Sequence, residues 1–467
     1  MGFSKPKGTY DLLPSESGKW GYVEHLFREV CRVHNFKEVR TPMFEASNLY
    51  HRAAGETSDV VSKETYDFED RGGRSVTLRP EGTAGVVRSF VENKLYVNQA
   101  VQKMFYMGPM FRYERQQKGR YRQHIQFGVE AFGSDDAMLD VEIIAMAHFM
   151  IDVAGVRNTK VKINSLGGEE CRAAYREALI TYLSGCKDEL CEDCQARYER
   201  NPLRILDCKR DSGSRALAEA PKIIDYLTSD ERKFFDDVRK GLASLDVPYE
   251  YDANLVRGFD YYTNTIFEIQ ADIPGFGAQS TLCGGGRYNK LVEELGGPST
   301  PAIGFGMGLE RLMLALEAEG VDVPSINKLD VFFVAMGSKA KMELAGIMAE
   351  VRGVGISCDM DYSDRKLKSK LKLADDSGAR YRIVVGDDEI ESGRLNLYDM
   401  KLDVEEEVPL LNLPITLYER IEANMELEGT FDEMRAGEMN LGDITLKIVE
   451  ADLELANQFD FEDDEQD

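Results

Sequence analysis

The stretch Met110-Phe111-Arg112-Tyr113-Glu114, followed across a charged loop by His124-Ile125-Gln126-Phe127-Gly128-Val129-Glu130, decides how this chain folds. Between Lys103 and Gly133 the pattern predicts two strands. Side chains alternate across a strand, so Met110, Arg112 and Glu114 share one face, and His124, Gln126, Gly128 and Glu130 share one face of the second. Polar groups thereby line a single surface. Glycine at 128 opens space against the backbone, which favours a ligand-bearing face over a merely wetted one.

Two further stretches carry the same chemistry. In Leu255-Val256-Arg257-Gly258-Phe259-Asp260-Tyr261-Tyr262-Thr263 and Cys283-Gly284-Gly285-Gly286-Arg287-Tyr288, one cation and several phenols stand beside a glycine-opened backbone. Alone this reads equally well as a tight turn with surface tyrosines. Gly304-Phe305-Gly306-Met307-Gly308-Leu309-Glu310-Arg311 alternates glycine along a strand, leaving one face bare for a flat ring. A dinucleotide fold is the rival, but its glycine spacing and its strand-to-helix context are missing. Arg112, Arg257 and Arg311 thus occur in three ligand-like settings, and a planar guanidinium binds phosphate oxygens bidentately.

In these segments the chain resembles the histidyl-tRNA synthetases over roughly its first 410 residues. Arg-Gly-Phe-Asp-Tyr-Tyr from Arg257 and Cys-Gly-Gly-Gly-Arg-Tyr from Cys283 look like that family's two histidine signatures. The resemblance implies an α+β fold: a class II antiparallel-sheet catalytic domain over residues 1–325 with a helical insertion at about 167–245, and an α/β anticodon-binding domain at 326–410. An acidic C-terminal extension, 411–467, would follow. It implies activation of L-histidine with ATP and Mg2+ to histidyl-adenylate and pyrophosphate, then transfer to the 3′ end of histidine tRNA by a homodimer.

Roles follow by the same resemblance. Arg112 holds the α-phosphate, Arg257 acts on the α-phosphate and carboxylate region as a transition-state cation, and Arg311 lies over adenine near the γ-phosphate. These three are the expected catalytic residues. Arg120 would help with the outer phosphates and His124 would stack on adenine. In Leu78-Arg79-Pro80-Glu81-Gly82-Thr83, Glu81 and Thr83 take the substrate ammonium with Gln126, with Gly82 part of the same histidine site. Glu130 and Tyr262 read the imidazole, and Tyr261 and Tyr288 line the pocket. Gln117 would read the extra 5′ guanosine of histidine tRNA, and Lys366 and Lys370 the anticodon phosphates.

Two positions depart from the family pattern. His124-Ile125 stands where Phe-His is usual, so protonation near pH 6.5 predicts an ATP affinity that varies between about pH 5.5 and 7.5. Gln116 replaces a common proline. Two rivals from other classes are a histidine-sensing regulatory subunit of ATP phosphoribosyltransferase and a domain that senses uncharged tRNA. Retention of all three arginines, the intact charged loop and the anticodon-like segment favour the enzyme.

Elsewhere, Val23, Leu26, Phe27, Val30 and Val33 predict a helix over Gly21–Asn35, and Lys37–Phe44 a strand ending near Pro42. This pair resembles the dimer-forming motif 1. After Leu166 amphipathic helices and a cysteine cluster run to about Leu245, and Tyr249–Tyr251 restarts the sheet. From Leu329, strands 330–336, 356–360 and 381–385 alternate with helices 339–351 and 364–376, predicting a mostly parallel α/β domain. The spacing of Cys186, Cys191, Cys194 and Cys208 admits a tetrahedral thiolate zinc site, with unrelated reduced cysteines as the alternative.

The 467 residues suffice for two to four domains. A formal net charge of −26 argues against a general polyanion binder, but residues 411–467 alone hold seventeen acidic and three basic side chains. Arg365, Lys366, Lys368, Lys370 and Lys372 form a basic cluster that the total conceals. Short strand-like pieces such as Ile444–Val449 suggest partial folding of the acidic segment. No signal pattern precedes Gly8-Thr9-Tyr10 and no apolar run approaches a membrane span, so a cytoplasmic protein is expected.

Overall fold

The computed structural model describes residues 2–54, 63–97, 101–115, 117–273 and 280–421. The described residues form two compact units: residues 2–13 with Trp20–Val323, and Pro14–Lys19 with residues 324–421. Gln116 and the expected 444–449 strand lie outside the described residues.

The first unit is built on an eight-stranded sheet. Its order is β1 (Lys37–Glu38), β5 (Gln102–Phe111), β6 (Gln123–Phe132), β11 (Ala302–Gly308), β10 (Thr281–Arg287), β9 (Thr263–Ala271), β7 (Thr159–Ser165) and β8 (Tyr249–Tyr251). The six inner strands pair antiparallel, and only the short edges β1 and β8 join in parallel. A small second sheet pairs β4 (Ser75–Leu78) with β2 (Phe44–Ala46) and β3 (Tyr66–Glu69).

The first helix runs Pro14–Val33, starting earlier than its apolar periodicity suggests. Proline serves in its first turn, where a missing N–H costs nothing. The expected strand 37–44 is two pieces in different sheets, because Pro42 in the gap can donate no ladder hydrogen bond.

The apolar helix Ala137–Ala154 covers the sheet, capped by Asp136 and ended by Gly155 at φ 111°. Its Leu139, Val141, Ile143, Ile144 and Ala147 are buried. Helix Ser229–Ser244 crosses it so closely that a Cβ at Gly241 would lie 2.5 Å from Val141. Between β7 and β8 the chain makes helices Glu169–Ser184, Glu192–Arg200, Arg215–Ala218 and Ser229–Ser244. Tyr175, Leu179, Leu183, Ile205 and Leu217 from this segment share one core with Leu255 and Tyr262.

The second unit has the strand order β13 (Cys358–Met360), β12 (Val331–Ala335), β14 (Tyr381–Val385), β15 (Arg394–Asp399), β16 (Val404–Pro409). Its first three strands are parallel, but β15 and β16 run antiparallel, so the sheet is mixed rather than mostly parallel. The link from β14 to β15, helix Asp387–Ser392 and Gly393, is shorter than a parallel crossover needs. Leu413 and Leu417 are fully buried in this unit's core, so the segment after 410 packs against it as far as Ile421.

Candidate active site

A cavity of about 190 Å³ opens where β6, β10 and β11 meet the 112–121 loop. Register places its groups. Met110 faces His124, Gly108 faces Gln126, and across the next ladder Gln126, Gly128 and Glu130 face Gly308, Gly306 and Gly304. A Cβ at 304 would overlap the Glu130 carboxylate, and one at 306 the Gln126 amide. At 308 nothing lies within 4 Å. The bare strip expected over all three glycines is therefore open only at Gly308, and the other two seat polar side chains.

Arg112, Arg120, Arg257 and Arg311 all line the cavity. The Arg112 Nε donates to the Pro80 carbonyl at 2.8 Å, and its guanidinium sits 6.0 Å from the Phe259 ring centroid. Arg311 Nη1 donates to the Thr281 carbonyl at 2.9 Å. Burial, helped by Arg120 and Arg112, holds its pKa below the ordinary arginine value. Arg257 Nη1 pairs with Glu268 at 2.5 Å, while Glu268 Oε2 accepts from Thr281 and Gln270. Glu114 Oε2 pairs with Arg120 at 3.4 Å, and its Oε1 lies 3.8 Å from Arg112.

The same cavity carries acceptors. Glu81 spans the start of helix Thr83–Glu92, accepting from the Thr83 and Ala84 amides at 2.6 and 2.8 Å. Thr83 Oγ1 donates to Glu130 at 2.7 Å, and the Tyr288 hydroxyl donates to the other Glu130 oxygen. Burial pushes the Glu130 pKa up to about 8, against the pull of Tyr288 and Thr83. Gln126 Nε2 donates to the Tyr106 hydroxyl, and its buried Oε1 has no protein partner. Tyr261 and Tyr262 complete the wall with Phe259, whose ring stacks on Tyr261 at 5.3 Å.

Of the expected histidine-site residues, Glu81, Thr83, Gln126, Arg257, Tyr261 and Tyr262 border the cavity directly. Glu130 and Tyr288 stand behind this lining, both buried. At Gly82 a Cβ would strike the Tyr106 ring, so this glycine makes room for that tyrosine.

Three expectations need correction. His124 lines the cavity, but burial, with Arg112 and Arg311 beside it, pushes its pKa down to about 3. Burial and these two cations oppose the titration expected between pH 5.5 and 7.5. Lys370 is buried, donating to the Ala335 carbonyl at 2.8 Å, and offers no charge to a polyanion; Lys366 is exposed at the start of helix Leu367–Asp376. Cys186 is absent from the thiol group that forms; Cys191, Cys194 and Cys208 gather instead with Asp211. Arg287, to which the sequence assigns no role, is fully buried and serves the scaffold, pairing with Asp140 at 2.7 Å and donating to the Ser134 and Asp136 carbonyls.

Gln117 is exposed in the tight turn it forms with Arg120, outside the cavity lining. Sequence reasoning missed Glu268 and Tyr106. Glu268 faces Gly284 across the β9–β10 ladder, a register that no local pattern reveals.

The family model for histidyl-tRNA synthetase matches residues 8–168 and 198–312, and that for an anticodon binding domain matches 330–420. The histidine–tRNA ligase of Anoxybacillus flavithermus is 52% identical over 412 residues, 88% of this chain and 97% of its own. The apo S. aureus histidyl-tRNA synthetase structure superposes with a TM-score of 0.76 at 41% identity, covering 89% of this chain and 99% of that one. An ATP phosphoribosyltransferase regulatory subunit/histidyl-tRNA synthetase from Bacillus halodurans C shares the fold alone, at 21% identity and a TM-score of 0.60 over 82% of this chain and 98% of that one.

Proposed function

The chain belongs to the histidyl-tRNA synthetase family and is a histidine–tRNA ligase; from that premise we propose how its residues divide the work. The observation that carries the reading is the convergence of Arg112, Arg257 and Arg311 on one cavity that Glu81, Thr83 and Gln126 also line.

In the first step a histidine carboxylate oxygen attacks the α-phosphorus of ATP, forming histidyl-adenylate and releasing pyrophosphate. Two anions must meet, so positioned cations lower the barrier and no protein nucleophile is needed. Arg257, anchored by Glu268, stands at the junction of carboxylate and α-phosphate. Arg112 holds the α-phosphate, Arg120 and Arg311 take the outer phosphates, and His124 with the open strip at Gly308 accepts adenine.

The unpaired Gln126 Oε1 and the Glu81 carboxylate supply acceptors for the substrate ammonium. Glu130, bonded to Thr83 and Tyr288, closes the imidazole end with Tyr262. Buried hydrogen-bonding groups of this kind reject analogues that leave them unpaired. Glu114, a carboxylate that lines the cavity between Arg120 and Arg112, would hold Mg2+ carried on the ATP phosphates, where the ion would offset phosphate charge.

In the second step a hydroxyl of the terminal tRNA ribose attacks the adenylate carbonyl and AMP leaves. Gln117, exposed in the turn with Arg120, would meet the acceptor end, and exposed Lys366 the anticodon phosphates. We assign the ligase to the cytoplasm, working as a homodimer. Among the described residues no helix is long and apolar enough to cross a membrane.

The test is histidine-dependent exchange of labelled pyrophosphate into ATP, with Arg257→Ala in parallel. Exchange by the wild type that collapses in the variant supports these roles. Histidine binding without exchange would move the regulatory-subunit reading to first place.

A further inference from the structure

The helical segment between β7 and β8 holds a group of side chains that the aminoacylation site does not use. The Sγ atoms of Cys191, Cys194 and Cys208 and a carboxylate oxygen of Asp211 all lie within 4.8 Å of one another. Cys194 is fully buried, and Cys208 and Asp211 are 6% and 8% exposed. Cys191 and Cys208 approach to 3.7 Å between sulfurs. Two thiolates bound at about 2.3 Å to one tetrahedral zinc ion stand roughly 3.8 Å apart, whereas a disulfide requires about 2.05 Å.

We propose that Cys191, Cys194, Cys208 and Asp211 bind one structural zinc ion. Three soft thiolates with one carboxylate suit zinc far better than magnesium or calcium, which take all-oxygen sites. The Asp211 carboxylate is already oriented, accepting from the Cys191 amide at 3.1 and 3.2 Å, as metal ligands commonly are. On binding, each coordinating thiol gives up its proton to solvent.

The site does more than close a loop. The chain between Cys194 and Cys208 carries Asn201 and Arg204, which donate to the Asp260 carboxylate at 3.0 Å and to the Gly258 carbonyl at 3.2 Å. These acceptors flank Phe259 in the stretch that holds Arg257 and Tyr262. Zinc would therefore fix the segment that positions the histidine-facing loop, with Asn201 and Arg204 as positioning residues.

Elemental analysis of the full chain, purified under reducing conditions with zinc supplied, tests this. Expected is about one zinc per chain, retained in Cys186→Ser, lost in Cys194→Ser, and bound at least about tenfold more weakly in Asp211→Asn. Cobalt(II) exchanged into the wild type should give thiolate charge-transfer and strong tetrahedral visible bands. Chelation should raise the histidine KM several-fold and leave the ATP KM nearly unchanged. Zinc well below stoichiometric, iron or copper in its place, or loss of metal in Cys186→Ser overturns the proposal. If Cys194→Ser fails to fold, wild-type metal content, the cobalt spectrum and Cys186→Ser still decide. Because metal content and the cobalt spectrum need no tRNA or ATP, those two readouts stand or fall independently of the aminoacylation roles, whereas the KM split rests on them.

Discussion

Arg257 and Glu268 pair at 2.5 Å in the space that Gly284 leaves by having no side chain. A Cβ at 284 would overlap the guanidinium itself, so this glycine is a condition of the arginine's position. Gly284→Ala should displace the charge by about an ångström, enough to cost on the order of 100-fold in kcat for pyrophosphate exchange. The histidine KM should move much less. Exchange at the wild-type rate, with circular dichroism unchanged, would show that the position of Arg257 does not govern the first step.

His124 stays neutral because burial and two neighbouring arginines oppose its protonation. The ATP KM should therefore be flat between about pH 5.5 and 7.5, with the same profile in His124→Phe. Stability is where the histidine shows itself. Its folded pKa lies below the unfolded value, so the unfolded chain binds the extra proton and stability falls as pH drops below about 6.5. At pH 5 this amounts to about 1 to 2 kcal/mol, which His124→Phe should recover relative to pH 7 in urea melts. An ATP KM that bends near pH 6.5 only in the wild type would show an exposed, titrating imidazole instead.

The Arg287–Asp140 pair is buried on both sides, and burial pushes the Asp140 pKa up to about 6 despite the arginine. Arg287→Met leaves a carboxyl without its counter-charge and should cost about 3 to 5 kcal/mol of stability. Adding Asp140→Leu should restore most of it, since an apolar pair needs no desolvation compensated. Urea unfolding of the two variants measures this. A double variant as unstable as the single one would mean that the arginine's bonds to the Ser134 and Asp136 carbonyls, rather than the ion pair, hold β10 to its covering helix.

Much of this was legible in sequence because it rests on local periodicity. The alternation around Gln126 predicts a polar strand face, and His124 and Gln126 of that face line the cavity; β5 ends at Phe111, so Arg112 and Glu114 reach the cavity from the loop rather than from a strand. What stayed hidden depends on contacts between distant segments. Gly304 and Gly306 look like a bare strip until the register with β6 sets Glu130 and Gln126 over them. Glu268 reads as one more strand glutamate until β10 brings Gly284 opposite. The thiol spacing suggested Cys186 as a fourth ligand, yet the turn after Cys208 delivers Asp211 instead. Helix charge misled at Lys370 because its position on the helix turns it inward.

That inward turn separates two lysines that look alike in sequence. Lys370 saturates the Ala335 carbonyl at the end of β12, so Lys370→Met should destabilise the second unit by about 1 to 3 kcal/mol through the unsatisfied acceptor. Under conditions where the variant is folded, its KM for tRNA should match the wild type. Lys366 is exposed and carries its charge into solvent. Lys366→Glu should leave stability and pyrophosphate exchange unchanged, raise the KM for tRNA, and flatten its dependence on log salt by about one contact. Aminoacylation kinetics across a salt series, run beside thermal melts, distinguishes the two. The assignment fails if Lys366→Glu charges tRNA normally at low salt while folded Lys370→Met does not, for then the buried lysine must leave Ala335 when tRNA binds.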